Sequence, residues 1–201
     1  MVAFVAVTVL GTVMVSLAPA SGGERALLLV YLTGTLLMFG VSSLYHRFRW
    51  QPRALSVIRR LDHSMIFLAI AGAYTPIVVM ALYGWQRPAV LVLVWGGTAL
   101  GVALEWLPRE VPRRLFTAIY VIVGWSAALA LPQMYRGLGA LGFWLVLGGG
   151  LLYTIGAVVY ALKRPDPWPT VFGYHEVFHL FTVAGGGCHL AVIAFAVVPL
   201  M

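Results

Sequence analysis

Residues 174–179 read Tyr-His-Glu-Val-Phe-His, and His175 to His179 within them match H-E-x-x-H. Two histidines at i and i+4 stand on one face of a helix, where they can share a zinc ion while the glutamate serves as general base. That chemistry needs a third ligand. No Asp or Glu follows Glu176, and the metzincin spacing calls for histidine at 185, which is Gly185. An intramembrane protease would want a downstream aspartate, and the chain has none there. The third ligand must come from upstream; the match reads as fortuitous in its glutamate and real in its histidines.

His46 is the best upstream candidate. Three neutral imidazoles, His46, His175 and His179, with an open fourth position describe a catalytic zinc site. Asp62 takes the place of the carboxylate that holds or deprotonates a bound water. Ser42 lies one helical turn before His46 on the same face, placed to hydrogen-bond that water or a ligand. A lone histidine at the end of an apolar span is more often an interfacial hydrogen-bonding residue. Three of them converging with an aspartate reverse that weight. His63 follows Asp62 directly and so points about 100° away from it on a helix. His189 lies roughly 15 Å deeper than His179 at 1.5 Å per residue, too far for the same ion, and reads as an interhelical hydrogen-bonding residue. Glu105 reads as interfacial. Cys188, the single cysteine, excludes an intrachain disulfide and reads as a small buried residue.

The elements that carry these residues are set by composition. Of 201 residues, 62% are hydrophobic and 9% charged, against about 25% charged in a soluble domain. The mean hydropathy is +0.95. Seven apolar stretches are long enough to cross a bilayer, about 1–20, 26–45, 64–83, 88–104, 115–135, 137–162 and 177–200. The first ends in small residues like a secretory signal, but it lacks a basic leader and its apolar run is too long, so it reads as a span. The connections are too short for a second domain, and 1–201 reads as one all-α, seven-helix transmembrane bundle.

The 13 basic residues divide unevenly. Arg47, Arg49, Arg53, Arg59, Arg60, Arg109, Arg113, Arg114, Lys163 and Arg164 fall in the even-numbered loops, and only Arg25, Arg87 and Arg136 in the others. This asymmetry places the even loops, and with them the N-terminus, in the cytoplasm and the C-terminus outside. It also accounts for the net charge of +7 without a nucleic-acid partner. Under that topology His46, Asp62, His63, His175 and His179 all reach one depth in the inner leaflet. Trp50, Trp85, Trp106 and Trp168 fall near span ends, as an interfacial belt does. The stretch Arg53–Leu61 mixes apolar and basic residues and is expected along the cytoplasmic interface. Gly97-x-x-x-Gly101 and the triplets at 148–150 and 185–187 read as helix-packing positions.

Ser42-x-x-x-His46, the stretch 61–76 (LDHSMIFLAIAGAYTP) and the stretch 175–189 (HEVFHLFTVAGGGCH) together resemble the hemolysin III family of bacterial membrane proteins. That family is grouped with the progestin and adiponectin receptor (PAQR) family and with alkaline ceramidases. The three motifs are in order and well separated, so the resemblance covers nearly the whole chain. It implies a seven-helix bundle with the N-terminus inside and zinc near the cytoplasmic face. The family's serine-to-histidine motif falls on Ser42 and His46, its aspartate on Asp62, and its histidine pair on His175 and His179. Family members usually carry a short acidic segment with Asn or His before the first span, whereas this chain starts directly with Met-Val-Ala-Phe.

The leading expectation is a zinc-dependent hydrolase in a bacterial plasma membrane, acting on a lipid or lipid-like substrate at an amide bond. A second is a membrane-homeostasis sensor or receptor-like protein with structural zinc, which would want a fourth protein ligand. A third is a cytolytic pore, which would want a polar stripe through several spans; here the polar residues gather at one depth.

Overall fold

The computed structural model describes residues 1–108 and 112–201. Arg109 lies outside the described residues, as does the side chain of Arg113. Seven α-helices follow one another: α1 (Val2–Leu17), α2 (Gly22–Arg47), α3 (Pro52–Ala81), α4 (Gln86–Glu105), α5 (Arg113–Gly124), α6 (Leu131–Leu162) and α7 (Tyr174–Val192). No strand occurs among the described residues. A 3₁₀ segment, Ser126–Ala130, links α5 to α6, and α7 continues through a π turn (Ile193–Val197) into a last 3₁₀ turn.

Among the described residues, five stretches are long and apolar enough to cross a bilayer: Gly22–Arg47, Pro52–Ala81, Gln86–Glu105, Arg114–Leu162 and Tyr174–Leu200. α1 is a shorter apolar helix. The protein is therefore a helical membrane bundle, with its backbone hydrogen bonds satisfied within helices as a hydrocarbon environment requires. The fourth stretch, at 49 residues, is longer than one crossing needs. Gly139 interrupts it with φ 69° and ψ 177°, a conformation that only glycine adopts freely. Before this break Gln133 bonds to the start of α4. After it Gly142 meets Ala196 near the C-terminus, Gly149 meets His189 and Gly156 meets Phe181. The part before Gly139 thus packs beside α3 and α4 and the part after it beside α7. The break in helical geometry lies three residues past Arg136.

α3 is the central helix. Phe67, Ala71, Tyr74, Val78 and Ala81 repeat at three- and four-residue steps and are all buried, the pattern of one continuous core face. α2 approaches it closely at Gly34 and Gly72, where an added Cβ would stand 2.8 Å from the Leu68 carbonyl oxygen and 3.0 Å from that of Val30. Of the triplets expected to pack, Gly149, Gly185 and Gly186 meet neighbouring helices, while Gly148, Gly150 and Gly187 meet nothing. Large apolar side chains cover the outside, among them Leu37, Val92, Leu151, Ile155 and Val158, where lipid replaces water.

The stretch expected along the interface, Arg53–Leu61, forms the start of α3. Pro52 sits in its first turn, where proline's missing N–H costs nothing. Thirty residues at 1.5 Å each give a helix of about 45 Å, longer than the ~30 Å hydrocarbon core. The exposed, arginine-bearing turns at 52–59 extend beyond the packed part. At this same end Arg60 donates to the Leu107 carbonyl at 3.2 Å and Trp106 donates to Ser64 at 3.2 Å, tying α3 to the end of α4.

Candidate metal centre

Three helix ends build the site. His46 occupies the last turn of α2, and His175 and His179 occupy the first turns of α7. α7 begins where it does because two acids hold its first N–H groups, which have no intrahelical partner. The Glu176 carboxylate accepts from the Gly173 N–H at 2.9 Å, and Asp166 accepts from the Tyr174 N–H at 2.8 Å. Glu176 is therefore a helix cap, and the resemblance to a protease signature is a consequence of where the helix starts.

The imidazoles converge through their Nε2 atoms. His179 Nε2 stands 3.0 Å from His175 Nε2, which stands 3.3 Å from His46 Nε2. The rings of His175 and His179 are at 88°, as are those of His46 and His179, so the nitrogens meet edge-on rather than by stacking. Nitrogens bound at 2.0–2.1 Å to a tetrahedral zinc ion stand about 3.3 Å apart. The spacing observed is close to that, and the three lone pairs would repel unless a proton or a cation lay between them. Among the described residues these three form the one group of His, Cys, Asp or Glu able to hold a metal ion, with ligand atoms within 4.8 Å of one another.

Asp62 of α3 lies outside that group but faces it. His63 and His46 are the imidazoles in electrostatic reach of its carboxylate. Ser42, Asp62, His175 and His179 share the wall of one cavity of about 630 Å³ inside the bundle. His63 turns to α4, where Nδ1 meets Glu105 Oε1 at 3.2 Å, and its backbone carbonyl accepts from Tyr120 at 3.1 Å. Glu105, expected at the interface, is held inward by this pair. His189 lines the deep part of the same cavity and packs on Tyr153. Cys188 is half-buried and free.

The cavity has walls that the sequence reading passed over. Tyr120, Trp125, Tyr153, Thr154 and Tyr160 line it; Trp125 donates to Thr154 at 2.9 Å. The available signal was hydroxyl-bearing aromatics inside apolar spans, which need a polar partner or a wet cavity.

Comparison with known proteins agrees with this architecture. Residues 1–190 match the family model described as "Haemolysin-III related". The chain is 30% identical over 170 residues to "Hemolysin-3" of Bacillus cereus, covering 85% of this chain and 74% of that protein. It is 29% identical over 170 residues to "Hemolysin-3 homolog" of Bacillus subtilis (strain 168), covering 85% and 73%. It is also 29% identical over 182 residues to "Heptahelical transmembrane protein ADIPOR2" of Oryza sativa subsp. japonica, covering 82% and 79%.

Proposed function

The chain belongs to the haemolysin-III-related family, and from that premise we propose that it is a zinc-dependent hydrolase of a lipid amide, working from the cytoplasmic leaflet of a bacterial plasma membrane. The observation that carries this reading is the convergence of three Nε2 atoms, 3.0 and 3.3 Å apart along the series, two of them, on His175 and His179, in the wall of a large cavity that also holds a carboxylate and a hydroxyl. His46, His175 and His179 would hold the ion. Zinc so bound supplies polarisation of a coordinated water and of a carbonyl.

The chain's own residues divide the remaining work. Asp62 accepts the proton of the attacking water, and its half-buried position keeps competing solvent low. Ser42 orients that water or donates to the oxygen on which charge develops. The cavity takes the acyl chain and keeps it out of water. Three protein ligands favour a reactive centre over a purely structural one, which would have four.

The reading includes seven crossings of a single domain, 1–201, with α5 and the start of α6 forming the fifth and the part of α6 beyond Gly139 the sixth. The N-terminus is inside and the C-terminus outside. Two measurements test it. Purified protein should carry about one zinc per chain and release fatty acid from at least one member of a panel of lipid amides; metal-free protein, or no turnover across the panel, overturns the hydrolase. In a Cys188→Ala background, Arg53→Cys should be labelled only from the cytoplasm, and labelling from outside inverts the topology.

A further inference from the structure

The cavity does not end at the histidine cluster. It continues along α6 and α7 to His189 and Tyr153, about 15 Å beyond His179 along the helix. A cavity meant only for a hydrocarbon tail would close on apolar side chains there. This one carries an imidazole and a phenol in its wall beside the apolar side chains, and the surrounding backbone is shaped to seat them. Gly149 makes room for the His189 ring: an added Cβ would stand 3.0 Å from Cδ2 and 3.1 Å from Nε2. Gly185 and Gly186 do the same for Tyr153, with an added Cβ at 3.1 Å from its ring and 3.5 Å from its hydroxyl. The two rings pack at 5.4 Å and 52°, and Phe39 of α2 flanks the Tyr153 hydroxyl across Gly186.

A third polar group stands in electrostatic reach of Tyr153, the phenol of Tyr31 on α2. Tyr31 is 2% exposed, and its hydroxyl is buried without a hydrogen-bond partner. A buried hydroxyl left unpaired costs free energy. The junction of α2, α6 and α7 thus gathers polar groups in mid-bundle that neither the zinc cluster nor the fold uses.

We propose that His189 and Tyr153 form a polar subsite at the deep end of the cavity, which binds a hydroxyl or similar hydrogen-bonding group at the far end of a medium-length acyl chain. The inference rests on the lipid-hydrolase reading for the position of the carbonyl, at the histidine cluster. The subsite selects for a chain polar at both ends. The length selected is the distance between the two polar sites. A plain alkyl chain of the same length leaves His189 and Tyr153 without a new partner and so binds less tightly.

Isothermal titration of the purified protein in detergent with dodecanoate and with ω-hydroxydodecanoate tests this. The hydroxylated chain should bind roughly five- to tenfold more tightly, the scale of one net hydrogen bond. His189→Leu and Tyr153→Phe should each bring the two affinities together, with zinc content and thermal midpoint recorded as controls on folding. Equal affinities in the unmodified protein, no binding of either chain, or a preference that survives in both variants would each overturn the proposal. The unmodified protein alone decides it if a variant fails to fold. Failure of the hydrolase reading shows elsewhere, in absent zinc or absent turnover, and leaves the affinity ratio measurable.

Discussion

The two ends of the bundle use polar residues in opposite ways. At the end where α3 passes into α4, the two glutamines and Arg87 bond to each other or to nearby backbone groups. Gln133 donates to Gln86 and accepts from the Tyr83 N–H at 3.0 Å, Gln86 donates to the Leu129 carbonyl at 3.0 Å, and Arg87 donates to the Leu82 carbonyl. These bonds close a ring around the turn and pin the start of α6 to it. At the other end His46, His175 and His179 aim at a common centre, and Asp62 and Ser42 look toward the same cavity. Polar groups that pair with each other hold helices together. Polar groups that converge on a shared space, where each would be poorly satisfied alone, are arranged for something that enters from outside.

The largest effect should come from the convergent end. His175→Ala or His179→Ala should strip nearly all zinc from the purified protein, and His46→Ala should do the same, read by elemental analysis. Full metal in His46→Ala would remove α2 from the site and break the contrast. Next in size, Asp62→Asn should retain most of the zinc and the fold while slowing lipid hydrolysis by at least roughly 10²-fold, because an amide hydrogen-bonds a water but cannot take its proton. Loss of zinc together with folding in that variant would move Asp62 to the structural group. The smallest effect belongs to the paired end. Gln133→Ala should cost about 1 kcal/mol, the net worth of a typical hydrogen bond, seen as a lower thermal midpoint with zinc content unchanged. A Gln133 variant that lost metal would show the two ends to be coupled.

Much of the convergent end was legible in the sequence because imidazoles and carboxylates inside apolar spans are costly and few. Spacing then gave the face: four residues from His175 to His179, four from Ser42 to His46. Charge asymmetry gathered those segments to one end before any geometry was known, and the structure brings the three histidines together there. The rest depends on packing that a linear pattern does not carry. Within Arg114–Leu162 the helix breaks at Gly139, which only the backbone angles single out. The start of α3 mixes arginine with leucine, and that it is a continuous extension of the central helix shows only in the structure. Glu105 looked interfacial because it ends a span, and its partner His63 is 42 residues away in sequence. The cavity, with Tyr153 and His189 in its wall, exists only as the space left between helices α2 to α7.

The cap on α7 has a consequence for how a metal would be received. Two of the three histidines sit on the helical turn that Glu176 and Asp166 hold by its N–H groups, and their negative charges oppose the positive end of the helix dipole. The conformational entropy of ordering that turn is therefore lost when the bundle folds, and none of it is charged to the arrival of the ion. A pocket so preorganised would take an ion with a small entropic penalty, and exchange would be governed by the departure of the ion and not by unwinding of the helix that carries its ligands.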